Sequence, residues 1–274
     1  MKTWFITGAS SGLGLGMTRK LLARGDAVVA VARRADPLAE LAATHGGRLR
    51  IVTLDITDTA AMRREVDAAF AAAGRIDVVV SNAGYGLFGA AEEVSDAQIE
   101  RQIATNLTAS IQLVRAVLPH LRAQSGGRIL QVSSEGGQIA YPAFGLYHAT
   151  KWGIEGFIEA VAQEVAPFDI TTTLIEPGPT GTGFGDALDR APATAPYEDT
   201  PAGAVRRAIA DGSFVITGDA DRTVDAMIVA GDTAQPSRRV TLGSTAYDNI
   251  ERELTRRLDE LRAQRAVAYA ADRP

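Results

Sequence analysis

The chain has no cysteine among its 274 residues. A disulfide scaffold, a thiolate zinc site and a cysteine nucleophile are therefore excluded together. Histidine is scarce too. His45, His120 and His148 are the only three and lie far apart, so no metal site is expected. Positive charge is not in excess: the formal net charge is −5. That argues against a nucleic-acid binder working by general phosphate attraction. No apolar run approaches the roughly 18–20 residues of a membrane span. The first residues, Met1-Lys2-Thr3-Trp4-Phe5-Ile6-Thr7-Gly8, show no basic segment leading into an apolar stretch and a cleavage site. The expectation is a soluble cytoplasmic protein with no signal peptide, no membrane partner and no nucleic-acid partner.

What is present is ordinary globular material, 46% hydrophobic and 22% charged, arranged in alternation. Short apolar runs predict strands at Trp4–Thr7, Ala27–Ala32, Leu49–Leu54, Asp77–Ser81, Arg128–Ser133, Ile170–Ile175 and Arg238–Leu242. Helical spacing predicts helices at Gly14–Arg24 and from an Asp58 cap to Ala73, with Gly74 as the stop. Ser95-Asp96-Ala97-Gln98 fits a capping box that opens one long helix to about Gln124. Tyr147–Val165 and Ala246–Gln264 complete the set, the latter amphipathic through Ile250, Leu254, Leu258 and Leu261. Strands alternating with long helices imply βαβ crossovers and a parallel sheet, with ligands at the carboxyl ends of the strands. The reading is one α/β domain over residues 1–265: a doubly wound parallel sheet of about seven strands flanked by helices. Residues 177–203, rich in Gly, Pro, Ala and Thr, read as a substrate loop. Residues 244–265 read as an extra C-terminal helix and 266–274 as a frayed tail.

The first turn carries the strongest local signal. Gly8, Gly12 and Gly14 lie between the first strand and the first helix, spaced G-x-x-x-G-x-G. Glycine allows a tight turn and close approach of a pyrophosphate, which the helix N-terminus then attracts. The turn residues Ser10, Ser11 and Leu13 would add backbone N–H groups. The loop is not a Walker loop, since no Gly-Lys-[Ser/Thr] follows.

Five further features appear in order after this turn. Asn82-Ala83-Gly84 follows the fourth strand, and Asn106 sits inside a helix. Ser134 ends the fifth strand, Tyr147 and Lys151 are four apart, and Pro177-Gly178 precedes Thr180 and Thr182. In this arrangement the sequence resembles the short-chain dehydrogenase/reductase superfamily over nearly its whole length. The resemblance implies a Rossmann-type fold and hydride transfer between a nicotinamide cofactor and a carbonyl or secondary alcohol. It gives Ser134, Tyr147, Lys151 and Asn106 catalytic roles. Ser134 would orient the substrate oxygen, Lys151 would also hold the nicotinamide ribose, and Asn106 would hold a water in a proton relay.

Chemistry supports the pair. Residues i and i+4 share a helix face. An ammonium beside a phenol favours the phenolate, so Tyr147 is expected to be drawn below the usual tyrosine range near 10. A tyrosine tuned in this way is a general acid or base. His148, one residue on, points to another face. For the cofactor, an acid after the second strand would select NAD and an arginine NADP. Here Arg33 and Arg34 follow that strand, so NADPH/NADP is favoured and NAD is less favoured. Asp55 and Ile56 fall where the family contacts adenine. A non-catalytic dinucleotide sensor of the same fold is the alternative. It has no need of the Tyr147–Lys151 pair. Epimerases and dehydratases of this fold usually carry another glycine spacing and a longer substrate domain.

Tyr85, Phe88, Tyr141, Phe144, Leu146 and Phe184 make a mostly apolar candidate wall, with Glu135 beside Ser134. Arg190 is the one loop arginine that could clamp a substrate. The wall implies a lipophilic ketone, aldehyde or alcohol. Asn82-Ala83-Gly84-Tyr85-Gly86 and Arg239–Ser244 are similar to the 17β-hydroxysteroid dehydrogenase-like branch. The resemblance also implies a homo-oligomer, a dimer through the helices bearing Asn106 and Tyr147, which the C-terminal extension could keep from forming a tetramer.

Overall fold

In a computed structural model, which describes residues 1–273, the apolar runs form strands buried on both faces. In chain order the first half runs β1 (Thr3–Thr7), α1 (Gly12–Ala23), β2 (Ala27–Ala32), α2 (Ala39–His45), β3 (Leu49–Thr53), α3 (Thr59–Ala73), β4 (Val78–Ser81), β5 (Leu87–Phe88), α4 (Asp96–Ile103) and α5 (Ala109–Ala123). The second half runs β6 (Gly127–Val132), α6 (Gly145–Val165), β7 (Ile170–Pro177), β8 (Asp189–Arg190), α7 (Pro201–Ala210), α8 (Ala220–Asp232), β9 (Arg239–Leu242), α9 (Ser244–Ala263) and α10 (Arg265–Ala270).

Seven strands form one parallel sheet in the order β3-β2-β1-β4-β6-β7-β9. Period-2 alternation divides each strand between two cores. Phe5, Val29, Val31, Val79 and Ile129 face one side, against Met62, Val66 and Phe70 of α3, Leu113 and Val117 of α5, and Ile154 and Ile158 of α6. Their neighbours Trp4, Ile6, Val28, Ala30, Val78, Val80 and Leu130 face the other, against Met17 and Leu21 of α1 and Val224 and Met227 of α8. The strand order reverses between β1 and β4. The carboxyl ends there open onto a crevice, where doubly wound sheets bind ligands.

Local signals landed where expected. The Asp58 carboxylate accepts from the Ala61 N–H at 2.9 Å, and Gly74 ends α3 at φ +70°. Ser95 and Gln98 form a reciprocal capping box. Other features depart from expectation. The long helix after Ser95 is broken by a π turn at Ala104–Thr108. The expected tail holds a helix, α10: its run Arg-Ala-Val-Ala-Tyr-Ala is mostly good helix former, and every side chain is exposed. Within the expected loop, Asp189–Arg190 pairs with Leu87–Phe88 as a separate two-stranded sheet. α7 and α8 follow it.

Candidate active site

Thr7, the last residue of β1, ties two strand ends together. Its hydroxyl accepts from the Asn82 and Ala83 N–H groups at 3.0 and 3.1 Å, and Asn82 Nδ2 donates to the Thr7 carbonyl at 2.9 Å. This staple brings Asn82-Ala83-Gly84 against the glycine turn. A Cβ on Gly8 (φ +68°) would meet Asn82 Nδ2 at 2.8 Å and Ala83 Cα at 2.9 Å, and one on Gly14 would drive into the Gly8 carbonyl oxygen. Ser11 stands at the N-terminus of α1 with no side-chain capping bond, and the first turn of α1 holds no acid. The first N–H groups of α1 are thus available to an anion. Ser10 is partly exposed, while Leu13 packs onto the core beneath. The turn therefore fits a pyrophosphate in both shape and charge. Gly12 faces Thr182 across the cleft, since a Cβ there would lie 3.7 Å from Thr182 Cβ.

Arg33 and Arg34 leave the end of β2 exposed to solvent. Beyond β3, Asp55 Oδ1 accepts from the Thr57 N–H at 2.9 Å and its hydroxyl at 2.7 Å. Those bonds hold the Asp55 carboxyl below the usual carboxylate range, with a further contribution from the Arg33 charge. The Arg33 field also reaches Tyr85. Ile56 packs on the core beside Asp55.

The catalytic candidates converge at the end of β6. Ser134 caps the turn Glu135–Gly137, its Oγ accepting from the Gly136 N–H at 3.1 Å and donating to the Pro177 carbonyl at 3.4 Å. Tyr147 and Lys151 lie on one face of α6, with Lys151 Nζ 5.5 Å from the Tyr147 ring centroid. Lys151 is 8% exposed and donates to the Val132 carbonyl at 3.1 Å. One expectation is corrected here. Burial pushes the Tyr147 phenol up to about 12, the Ser134 hydrogen bond draws it down, and the nearby Glu135 carboxylate raises it again. Burial likewise pulls Lys151 down to about 8, against the field of Glu155. Burial sets the direction for both groups.

Asn106 is 2% exposed and lies within the π turn. Its Oδ1 accepts from the Tyr85 N–H at 3.1 Å and its Nδ2 donates to the Tyr85 carbonyl at 2.7 Å. It locks the backbone of Tyr85, the residue that follows Asn82-Ala83-Gly84. Its unfavourable helix propensity was the sequence signal, and such turns recur at functional sites.

On the substrate side, Phe184 is 38% exposed and its ring lies 5.7 Å from that of Tyr147. Phe144 meets Tyr147 edge-on at 6.2 Å. Tyr85 lies partly buried, and burial raises its phenol. Phe88 sits deeper, with Phe144, Ala143 and Ala202 in a small apolar cluster, and Leu146 borders a second one. The segment after β7 closes the wall. The Gly178 N–H donates to the Leu242 carbonyl at 2.9 Å, and the Thr180 hydroxyl donates to the Gly178 carbonyl at 2.8 Å. Arg190 donates to the Gly185 carbonyl and stacks over Phe88, so it is engaged in holding its own loop. His148 is buried and structural. Its Nε2 accepts from the Tyr141 N–H, so its Nδ1–H donates to the Gly136 carbonyl, both at 2.9 Å. Glu135 and Tyr141 bond to each other at 2.9 Å instead of lining an open wall.

The sequence also concealed a partly buried charge cluster behind Lys151. Arg239 on β9 pairs with Glu155, Glu159 and Glu176, and the Ser133 hydroxyl donates to Glu155 at 2.5 Å. The only signal was spacing: Tyr147, Lys151 and Glu155 recur at steps of four. A cavity of about 380 Å³ lies at the opposite end of the sheet, lined in part by Lys2, Arg75, Asp77 and Arg128. Its cations are taken: Lys2 by Asp232, Arg75 by Asp77, and Arg128 by backbone carbonyls. Among the described residues, no cluster of His, Asp and Glu could hold a metal ion, and no helix is long and apolar enough to cross a membrane.

Comparison with known proteins bears on the fold and the family. The chain is 40% identical over 201 residues to oxidoreductase BOA17 of Botryotinia fuckeliana, covering 73% of each. It is 35% identical over 194 residues to a 3-ketodihydrosphingosine reductase of Bacteroides thetaiotaomicron, covering 71% of this chain and 70% of that one. A short-chain dehydrogenase from Streptomyces avermitilis superposes with a TM-score of 0.91 at 32% identity, over 99% of this chain and 100% of that one. The closed form of serine dehydrogenase complexed with NADP+ gives a TM-score of 0.74 at 25% identity, over 88% and 94%. The family model for short chain dehydrogenase matches residues 2–192, and the chain belongs to that family of oxidoreductases.

Proposed function

We propose that the protein is an NADPH-dependent carbonyl reductase acting on a lipophilic ketone or aldehyde. The observation that carries this reading is the convergence of Ser134, Tyr147 and Lys151 at the end of β6, in the sheet whose first strand ends in the glycine turn. The amides of Gly8–Gly14, the Asn82–Gly84 backbone, Asp55, Lys151 and the Pro177–Thr182 segment would hold the dinucleotide. Arg33 and Arg34 would meet a 2′-phosphate, since no acid stands there to prefer a free ribose hydroxyl. The dinucleotide supplies the hydride.

The chain supplies the proton and the orientation. A phenol held near 12 is fully protonated at neutral pH, which suits a general acid. Tyr147 would give that proton to the carbonyl oxygen of the substrate, leaving a phenolate on the protein. Ser134 hydrogen-bonds the same oxygen. Lys151, with a value near 8, is mostly charged at pH 7 and stabilises the phenolate beside it. Phe144 and Phe184 flank the Tyr147 ring. The aromatic wall supports an apolar substrate, and a relative named for a keto substrate supports a ketone.

The test is a fluorescence titration with NADPH and NADH, followed by a panel of aromatic, aliphatic and steroidal ketones. Ketone-dependent oxidation of NADPH is expected. Tyr147→Phe should lower the rate about 100- to 10,000-fold while leaving cofactor affinity within about twofold. Arg33→Ala should weaken NADPH about tenfold or more and leave NADH unchanged. Tight binding without turnover on any carbonyl or alcohol would move the reading to a dinucleotide sensor.

A further inference from the structure

Glu135 follows Ser134 directly and is 2% exposed, yet no arginine or lysine pairs with it among the described residues. An unpaired buried carboxylate is costly unless hydrogen bonds hold it. Here they come from two directions. Tyr141 OH donates to Oε1 at 2.9 Å. Asn249, on α9, donates to Oε2 at 3.3 Å and to the Tyr141 hydroxyl at 2.8 Å. The three side chains close a triangle, and Asn249 Oδ1 accepts from Arg252 at 2.5 Å. About two turns further along α9, Arg257 donates to the Gln138 carbonyl at 2.7 Å and lies 4.4 Å over the Trp152 ring of α6. α9 thus grips residues 135–141 at both ends. Apart from these contacts, and Ala246 and Ile250 in its first turns, α9 is largely exposed.

We propose that α9 is an arm of the active site: Asn249 and Glu135 are positioning residues that fix the Ser134–Tyr141 loop, and through it the Ser134 hydroxyl, against Tyr147. The inference rests on the carbonyl-reductase reading above. The charged and titratable groups facing Glu135 are Tyr141 on its own loop, Tyr147 and His148 on α6, and Arg252 on α9 behind Asn249. Ionised Glu135 also opposes ionisation of Tyr147, and so favours the proton-loaded phenol that reduction requires.

Four variants test this: Asn249→Ala, Glu135→Gln, the double variant, and Tyr141→Phe as a third break in the triangle. Each single change should lower kcat about tenfold, with NADPH affinity within about twofold, because the glycine turn is untouched. The double variant should be no slower than the worse single one, since both act through one triangle. In alcohol oxidation, which needs the phenolate, Glu135→Gln should move the rising limb of the pH profile down by about 0.5–1 unit, and Asn249→Ala should not. Amide hydrogen exchange in residues 135–141 should quicken in Asn249→Ala while residues 8–14 keep their rates. Wild-type kcat and wild-type exchange in Asn249→Ala would overturn the proposal, as would multiplicative losses in the double variant. If the wild-type protein reduced no carbonyl, the functional reading would fail. Exchange in residues 135–141 would then decide the clamp by itself: quickened supports it, unchanged overturns it.

Discussion

The glycine turn and the Ser134–Tyr141 loop meet the same crevice but are fixed by different means. The turn is held by backbone approach. Gly8 and Gly14 sit where any Cβ would collide with main chain or with Asn82. The loop is held by side chains drawn from elsewhere: His148 on α6, and Asn249 and Arg257 on α9. Backbone contact admits one residue type, so it writes itself into the sequence. A hydrogen-bonded side-chain network can be met by many residue sets, so it leaves no motif.

That contrast can be broken at its rigid end first. Gly14→Ala places a methyl group into the Gly8 carbonyl oxygen and near Asn82 Nδ2, and neither can move without undoing the Thr7 staple. Overpacking of this kind costs about 1–3 kcal/mol, and the turn must open to relieve it. We expect a melting temperature lower by several degrees and dinucleotide affinity down at least about 100-fold. A variant that melts and binds like wild type would show the turn to be as tolerant as the loop.

Lys151 sharpens the comparison from the catalytic side. It carries a charge where the protein has little water to offer, so that charge costs stability. Its folded value near 8 lies below the ordinary lysine value near 10.4. Between those two pH values the unfolded chain binds more protons than the folded one, so stability rises with pH across that window. Below pH 8 the full penalty is present. Lys151→Met removes the charge but leaves the Val132 carbonyl without its donor. The net expected gain at pH 7 is on the order of 1–2 kcal/mol, shrinking to nothing by about pH 10, while activity is lost. Melting curves at pH 7 and pH 9.5 read it. A destabilised Met variant at pH 7 would mean that the ammonium is well solvated.

How much of this was legible follows the same division. The sheet was readable because strands buried on both faces are continuous apolar runs, as in Ala27–Ala32. The caps at Asp58 and Ser95 were readable because they act within four residues. The π turn at Asn106 was not, although the misplaced asparagine marked it, because one extra residue in a turn leaves the apolar period almost intact. α8 carries Val224, Met227, Ile228 and Gly231 at helical spacing, but follows a loop-like stretch that masked it. The pairing of Arg239 with Glu155 and Glu176 joins residues 84 and 63 apart, beyond any local pattern. Glu135 was noticed for its place beside Ser134. Its partner Asn249 is 114 residues away and had no signal at all.

Phe184 gives the smallest expected effect and the finest cut. It lies on the segment whose only strand, Asp189–Arg190, makes a two-residue pairing, and its ring rests on Tyr147 while more than a third of it meets solvent. Gly86 leaves room for it and for Leu188 to pack close. Losing a half-exposed ring in such a segment should cost about 0.5–1 kcal/mol, well under the Gly14 change. If the ring only shields the phenol, Phe184→Ala should alter kcat for all ketones alike. If it forms part of the substrate wall, KM should rise about three- to tenfold for bulky aromatic ketones and stay level for acetone-sized ones, since each buried apolar group contributes by its area. The second pattern is expected, because Phe144 already meets the Tyr147 ring edge-on. A uniform fall in kcat would instead place Phe184 with the rigid half of the crevice, as a part of the acid and not of the wall.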